Sequence, residues 1–226
     1  MRVAFIGPVG SGKSAQAQRL SWTMPFYNRC PRLSTGDLVR AQIEGRTPLG
    51  ARVKALHDAG EPVPDEVVLG LLLPHVRTAG GFALDDFPAS VGQAEALDAE
   101  LEERGAGRLH YVISLEGPTD GELVERVLGG RVHSRATDAP YHMEHDPPPG
   151  PGERLDPGPF ERRDDDTAEA LGRRLGVYRR EHELLKEHYE ERGVLRVVDA
   201  RRPLDEVAGD VLGAMGHPEG AHSHAS

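Results

Sequence analysis

The sequence predicts an α/β fold, a mostly parallel sheet with helices on both faces. Three observations predict it. Short apolar runs recur at 2–6 (RVAFI), 82–85 (FALD), 109–115 (LHYVISL) and 194–198 (VLRVV). Helical spacing fills the stretches between them, and strands that alternate with helices favour parallel pairing covered on both sides. A glycine-rich turn, GPVGSGKS at 7–14, follows directly behind the first apolar run and opens a helix.

The elements follow in order. Residues 2–6 read as a buried first strand, without the basic-then-apolar pattern of a signal peptide. Residues 13–22 have helical spacing, and 32–34 form a brief strand. Helices are predicted at 36–45, 49–59 and 65–79, with Pro62 and Pro64 breaking the chain between the last two. The run 82–85 lies between Gly81 and Pro88 and is read as a strand. Residues 90–104, rich in Ala, Leu and Glu, predict a helix, 109–115 a clear strand, and 120–128 another helix. Residues 131–164 contain PPPGPGERLDPGP, too proline-rich for helix or core strand, so a projecting loop or small subdomain is expected. A long charged helix at 167–192 carries the apolar stripe Leu171, Leu175, Tyr178, Leu185 and Tyr189. A last strand at 194–198 and a last helix at 203–215 precede HPEGAHSHAS, 217–226, read as a disordered tail.

Bulk properties narrow the partners. The 226 residues suffice for one good-sized domain with inserted subdomains. The net charge of −10 argues against a nucleic-acid polymer as partner, but leaves room for a small phosphate ligand in a local positive pocket. No run is long enough to cross a bilayer, so no membrane partner is expected. The single cysteine, Cys30, excludes an internal disulfide and a thiolate metal cluster, which fits a cytoplasmic location.

The turn at 7–14 fits G-x-x-x-x-G-K-[ST], the phosphate-binding P-loop. Gly7, Gly10 and Gly12 let backbone N–H groups, with that of Ser11, curl around phosphate oxygens. The following helix aims its partly positive N-terminus at the same point. Lys13 reaches the outer phosphates and Ser14 offers its hydroxyl to Mg²⁺, so a triphosphate with Mg²⁺ is the expected ligand. Asp85 ends a buried strand, where ligands gather in open α/β sheets, and is placed to hold the metal through water. Its neighbour Asp86 doubles the negative charge.

Further stretches carry a family resemblance: STGDLVRA, TPLGARVKALHDAGEPVPDEVV, GFALDDFPASVGQAEAL, LVERVLGGRVH, YHMEHDPP, RRDDDTAEALGRRLGVYRR and VVDARRP. In this order and spacing, with GPVGSGKSAQAQ, the chain resembles an adenylate kinase of the long-lid type up to about Met215. The resemblance implies a P-loop NTPase fold, three layers α/β/α, with a helical acceptor-binding insert at 35–64 and a lid at 130–164. The core then comprises 1–34, 65–129 and 165–216. It implies an ATP-dependent kinase acting on a small-molecule acceptor, and a monomer.

Residue by residue, the resemblance implies these roles. Lys13 is the loop lysine. Thr35 and Arg40 contact the acceptor nucleotide, the arginine at its phosphate. Gln93 reads the acceptor base, with Val63 and Val68 as apolar contacts around it. Arg126 stacks on the ATP adenine. Arg163 and Arg174 clamp the phosphates near transfer, with Asp165 and Asp166 beside the first of them. His133 and Tyr141 match lid positions.

The departures concentrate at the acceptor phosphate. Where the family has D-G-F-P-R, this chain has Asp85, Asp86, Phe87, Pro88 and Ala89, without the arginine. The family's G-R-R-V-H reads Gly129, Gly130, Arg131, Val132 and His133, so a second clamping arginine is Gly130. The loop continues with Ala15 where the family has threonine, and the lid cysteines of zinc-bearing relatives are absent. An arginine at a phosphoryl transition state is worth about 10³–10⁵ in rate. The donor half is intact and the acceptor half edited, which favours an acceptor other than plain AMP: a modified nucleotide, or a non-nucleotide phosphate, phosphonate or carboxylate, with Asp86 pairing its amine or hydroxyl. The alternatives are a weak nucleoside monophosphate kinase, with Arg131 standing in at Gly130, and an inactive nucleotide-binding module.

Overall fold

The computed structural model describes residues 1–23, 30–150 and 156–216. The tail expected at 217–226 lies outside the described residues. A five-stranded parallel sheet forms the centre, in the order β2-β3-β1-β4-β8. Its strands are β1 (Arg2–Ile6), β2 (Arg32–Ser34), β3 (Phe82–Asp85), β4 (Tyr111–Glu116) and β8 (Leu195–Asp199). The helices are α1 (Lys13–Thr23), α2 (Thr35–Glu44), α3 (Pro48–Ala59), α4 (Asp65–Thr78), α5 (Val91–Glu103), α6 (Asp120–Gly130), α7 (Ala168–Glu191) and α8 (Leu204–Ala214).

Alternation along the strands divides the core into two layers. Val3 and Phe5 of β1, Ala83 of β3 and Ile113 and Leu115 of β4 face α1 and α8, packing with Ala17, Leu20, Val207 and Val211. Ala4, Ile6, Phe82, Leu84 and Val112 face the other way, against Leu72 of α4, Leu97 of α5 and Tyr189 of α7. The three-layer α/β/α expectation therefore holds. Phe5, Phe82, Phe87 and Tyr189 are fully buried, and truncating such a side chain to alanine costs about 3–5 kcal/mol.

Local chemistry fixes the helix starts. Ser34, Thr47, Ser90 and Thr167 cap α2, α3, α5 and α7 through their side-chain oxygens, which accept from Asp37 N, Gly50 N, Gln93 N and Ala170 N. Thr119 and Glu122 form a reciprocal capping box at α6. Gly60 ends α3 in the left-handed conformation, φ 71°.

The described residues of 131–164 hold a small antiparallel sheet in the order β6-β5-β7: β5 (Arg131–Ser134), β6 (Pro140–His142) and β7 (Phe160–Glu161). Its centre is Asp156, which accepts hydrogen bonds from Ser134 Oγ (2.5 Å), Thr137 Oγ1 (2.6 Å) and Tyr141 Oη (3.0 Å). Val132, Ala139 and Tyr141 pack with Phe160 as its apolar side. The third strand is only two residues long, and its partners are distant in sequence, so composition alone concealed it. Among the described residues no helix is long and apolar enough to cross a membrane.

Candidate active site

A cavity of about 860 Å³ opens at the carboxyl ends of β1, β2 and β3. The sequence-predicted residues converge on it. Gly7, Gly10, Ser11, Gly12, Lys13, Ser14, Thr35, Arg40, Val63, Val68, Asp85, Asp86, Gln93, Arg126, Arg163 and Arg174 all line its wall. So do Ala89, His133, Tyr141 and Asp166.

The loop between β1 and α1 is shaped for close backbone approach. Gly7 has φ 141°, and a Cβ there would stand 2.6 Å from the carbonyl oxygen of Leu115. Lys13 is buried, and its Nζ donates to the Pro8 carbonyl at 2.9 Å. The same ammonium pairs with Asp86 Oδ1 at 3.3 Å. Asp86 holds a left-handed backbone, φ 60°, unusual for a residue other than glycine. Its carboxylate thus meets the chain's own loop lysine, where the sequence had suggested a partner on the acceptor.

Asp85 ends β3 beside β1 and β2, in register with Phe5 and Ser34. Its Oδ1 accepts from Ser14 Oγ at 3.0 Å, and its Oδ2 accepts from Arg32 Nε at 2.9 Å and Nη2 at 2.7 Å. Burial pushes the carboxyl up, but the charges of Arg32 and Lys13 and the hydrogen bonds from Arg32 and Ser14 outweigh it and hold the group below its ordinary range. Arg32 itself was not legible as a site residue. It is buried, pairs with Asp37 Oδ2 at 2.8 Å, and donates to the Asp138 carbonyl at 3.4 Å. Its position before STGD on a brief strand was the available signal.

Asp37 joins three guanidiniums: Arg32, Arg40 and Arg163, the last at 3.3 Å. Burial, then repulsion from Arg40 and Arg131, pushes Arg163 down to about 10, still charged at neutral pH. Arg174 pairs with Asp165, and Arg131 with Asp166. Burial raises Asp165, but Arg174 more than offsets it and brings the carboxyl to about 2. Several buried polar atoms around the cavity have no hydrogen-bond partner: Ser11 Oγ, Arg40 Nε, Arg163 Nε, His57 Nδ1 and His133 Nδ1. An unmet buried donor costs about 1–3 kcal/mol. A polyanion in the cavity would satisfy such donors.

The acceptor side is differently arranged. Gln93 is buried, donates from Nε2 to Asp65 Oδ1 at 2.6 Å, and accepts from the Ala89 N–H at 2.8 Å. Thr35 Oγ1 donates to the Asp86 carbonyl at 3.4 Å. Arg126 Nη1 donates to the Ala200 carbonyl at 2.8 Å. At Gly130, a Cβ would stand 2.8 Å from Cε1 of His142, whose ring occupies the space. Arg131, the residue suggested to stand in for an arginine at Gly130, lines the cavity with its guanidinium tied to Asp166 through Nε (3.0 Å) and Nη2.

The fold, the P-loop and this arginine cluster agree with what sequence comparison finds. The adenylate kinase family model matches residues 5–194. The chain belongs to the adenylate kinase family. It is 39% identical over 219 residues to the adenylate kinase of Streptomyces coelicolor, covering 95% of this chain and 98% of that protein. It is 38% identical over 220 residues to the adenylate kinase of Moorella thermoacetica, covering 96% and 98%. Against that of Carboxydothermus hydrogenoformans it is 36% identical over 219 residues, covering 95% and 99%. As an adenylate kinase family member the chain is an ATP-dependent phosphotransferase of the nucleoside monophosphate kinase type, using Mg²⁺ and binding small nucleotides. The residues present fit these ligands. The unpartnered Ser11 Oγ lies at the phosphate loop. The ionised Asp85 and adjacent Ser14 hydroxyl give the all-oxygen donor set Mg²⁺ prefers.

Proposed function

We propose that the acceptor is AMP, phosphorylated by Mg-ATP to give two ADP, at a rate limited by a weakened acceptor-phosphate grip. The observation that carries this reading is the set of unpartnered buried donors on Arg40, Arg163 and Ser11 around one cavity. They form a preorganised anion site of the kind phosphoryl transfer needs. The relatives are named adenylate kinases, which supports AMP over the edited acceptor suggested by Ala89 and Asp86.

In this reading Gly7 to Ser14 cradle the donor phosphates, Lys13 exchanging Asp86 for a phosphate oxygen. Ser14 and Asp85 would hold Mg²⁺, which would neutralise charge on the transferred group. Arg126 lies under the donor adenine. Arg163 and Arg174 clamp the oxygens that gain charge at transfer. Thr35, Arg40, Val63, Val68 and Gln93 hold AMP, Gln93 exchanging its contact with Asp65 for the base. Residues 35–64 form the acceptor insert and 130–164 the lid, whose closure excludes water from the reacting phosphates.

The experiment is ADP formation from Mg-ATP with a panel of nucleoside monophosphates, phosphonates and carboxylates. AMP giving the highest kcat/KM, with Lys13→Ala lowering it at least a hundredfold, supports the reading. Faster turnover of a non-nucleotide acceptor would overturn it.

A further inference from the structure

One residue of the cavity wall has no part in the roles above. His57 sits on α3, largely buried, with its side chain 12% exposed. Its Nδ1 makes no hydrogen bond and stands 3.6 Å from Asp58 Oδ1. Its Nε2 lies 3.8 Å from Asp165 Oδ2, a carboxylate already held by Arg174.

Charged groups face the ring from each element packed around it. Asp58 comes from α3 itself, Arg40 from α2, Asp165 from the segment before α7, and Arg174 from α7. Burial first, then the two guanidiniums, outweigh the carboxylates and keep the free protein's imidazole below its ordinary pKa. A second positive charge is unwelcome there only while Arg40 and Arg174 have no anion beyond Asp37 and Asp165. A phosphate dianion bound beside Arg40 reverses that field, and Nδ1 has no hydrogen bond to give up as the ring gains charge.

We propose that His57 is a proton-coupled recognition residue for the acceptor phosphate: neutral in the free protein, it takes a proton from solvent as the phosphate binds. The imidazolium supplies a cation on the acceptor side, where Ala89 and Gly130 supply none. This rests on the reading that Arg40 holds the phosphate of AMP. No bond is made or broken beyond the N–H formed on the imidazole. The expected consequence is an acceptor affinity that falls with rising pH, through the range in which bound His57 loses its proton.

The test is calorimetry of AMP binding to the full chain at pH 7.5, in two buffers of different ionisation enthalpy. At this pH the phosphate of AMP, whose second pKa is about 6, is already a dianion. The wild type should take up a fraction of a proton per AMP, and His57→Gln none. The wild-type KM for AMP should rise about tenfold from pH 6.5 to 8.5. It should stay nearly flat in His57→Gln, and low and flat in His57→Lys. The KM for ATP should follow none of this. AMP binding by the wild type without proton uptake overturns the proposal alone, whether or not the variants fold. A wild type that binds ATP but not AMP overturns the AMP reading, and this proposal with it.

Discussion

Asp86 is the position where one substitution separates charge from backbone. Its carboxylate pairs with Lys13 at 3.3 Å while its side chain is 65% exposed, so the pair lies at the wet edge of the cavity. A left-handed residue costs roughly 1–2 kcal/mol unless it is glycine, and less for Asp. Asp86→Gly therefore gains about 1 kcal/mol from the backbone and loses up to about 1 kcal/mol with the exposed ion pair. Net stability should change by under about 1 kcal/mol, a Tm shift of at most about 4 °C for a chain of this size. ATP binding changes more. A phosphate oxygen needs the ammonium that Asp86 now holds, and each unit of like charge about 4 Å away costs about 1 kcal/mol even at the dielectric of water. Removing it should tighten ATP about five- to tenfold. Asp86→Asn keeps a side chain that tolerates the left-handed conformation but drops the charge. It should tighten ATP equally while leaving the backbone term unchanged. Equilibrium titration with a non-hydrolysable ATP analogue measures both. Unchanged or weaker binding by Asp86→Asn would refute the competition between Asp86 and phosphate for Lys13.

Four other perturbations test the rest of the site. Ala89→Arg adds a guanidinium to the cavity wall and should lower the KM for AMP about tenfold or more, the worth of one charge-assisted hydrogen bond. Gly130→Arg should fail to help, because its Cβ meets the His142 ring at 2.8 Å; steady-state kinetics should show recovery only when His142→Ala is added. Arg32→Met strips a buried carboxylate, Asp85, of its main partner. It should cost about 3–5 kcal/mol in urea unfolding, and Asp85→Asn in the same chain should restore part of that loss. Asp165, with a folded pKa of about 2 against an ordinary 3.8, binds its proton more readily when unfolded. It contributes stability above pH 4 that disappears as pH falls through 2, about 2 kcal/mol in all. Denaturant midpoints between pH 4 and 2 should therefore fall more steeply in the wild type than in Asp165→Asn.

Much of this molecule is legible in its sequence. β1 and β3 need burial on both faces, so Val3 to Ile6 and Phe82 to Leu84 are apolar without interruption and the runs are conspicuous. The loop at 7–14 was legible because Gly7 and Gly12 answer a local demand, positive φ, that few other residues meet. The small sheet β5–β7 was not, since its strands are held by Asp156 and by pairing across the chain. Arg32 and His57 escaped notice because an isolated arginine or histidine in sequence is usually a solvated surface group.

The sequence by itself determined the layered α/β fold, the phosphate loop and the family, because these rest on periodicity, glycine placement and ordered motifs within short stretches. Only the tertiary structure decided what each charge meets: Asp86 against Lys13, Arg32 against Asp85 and Asp37, and His142 in the space above Gly130. The physical reason is range. Backbone conformation is set by neighbours a few residues away, whereas an ion pair forms between groups as distant as Arg32 and Asp85, and its strength depends on a burial that no single segment encodes.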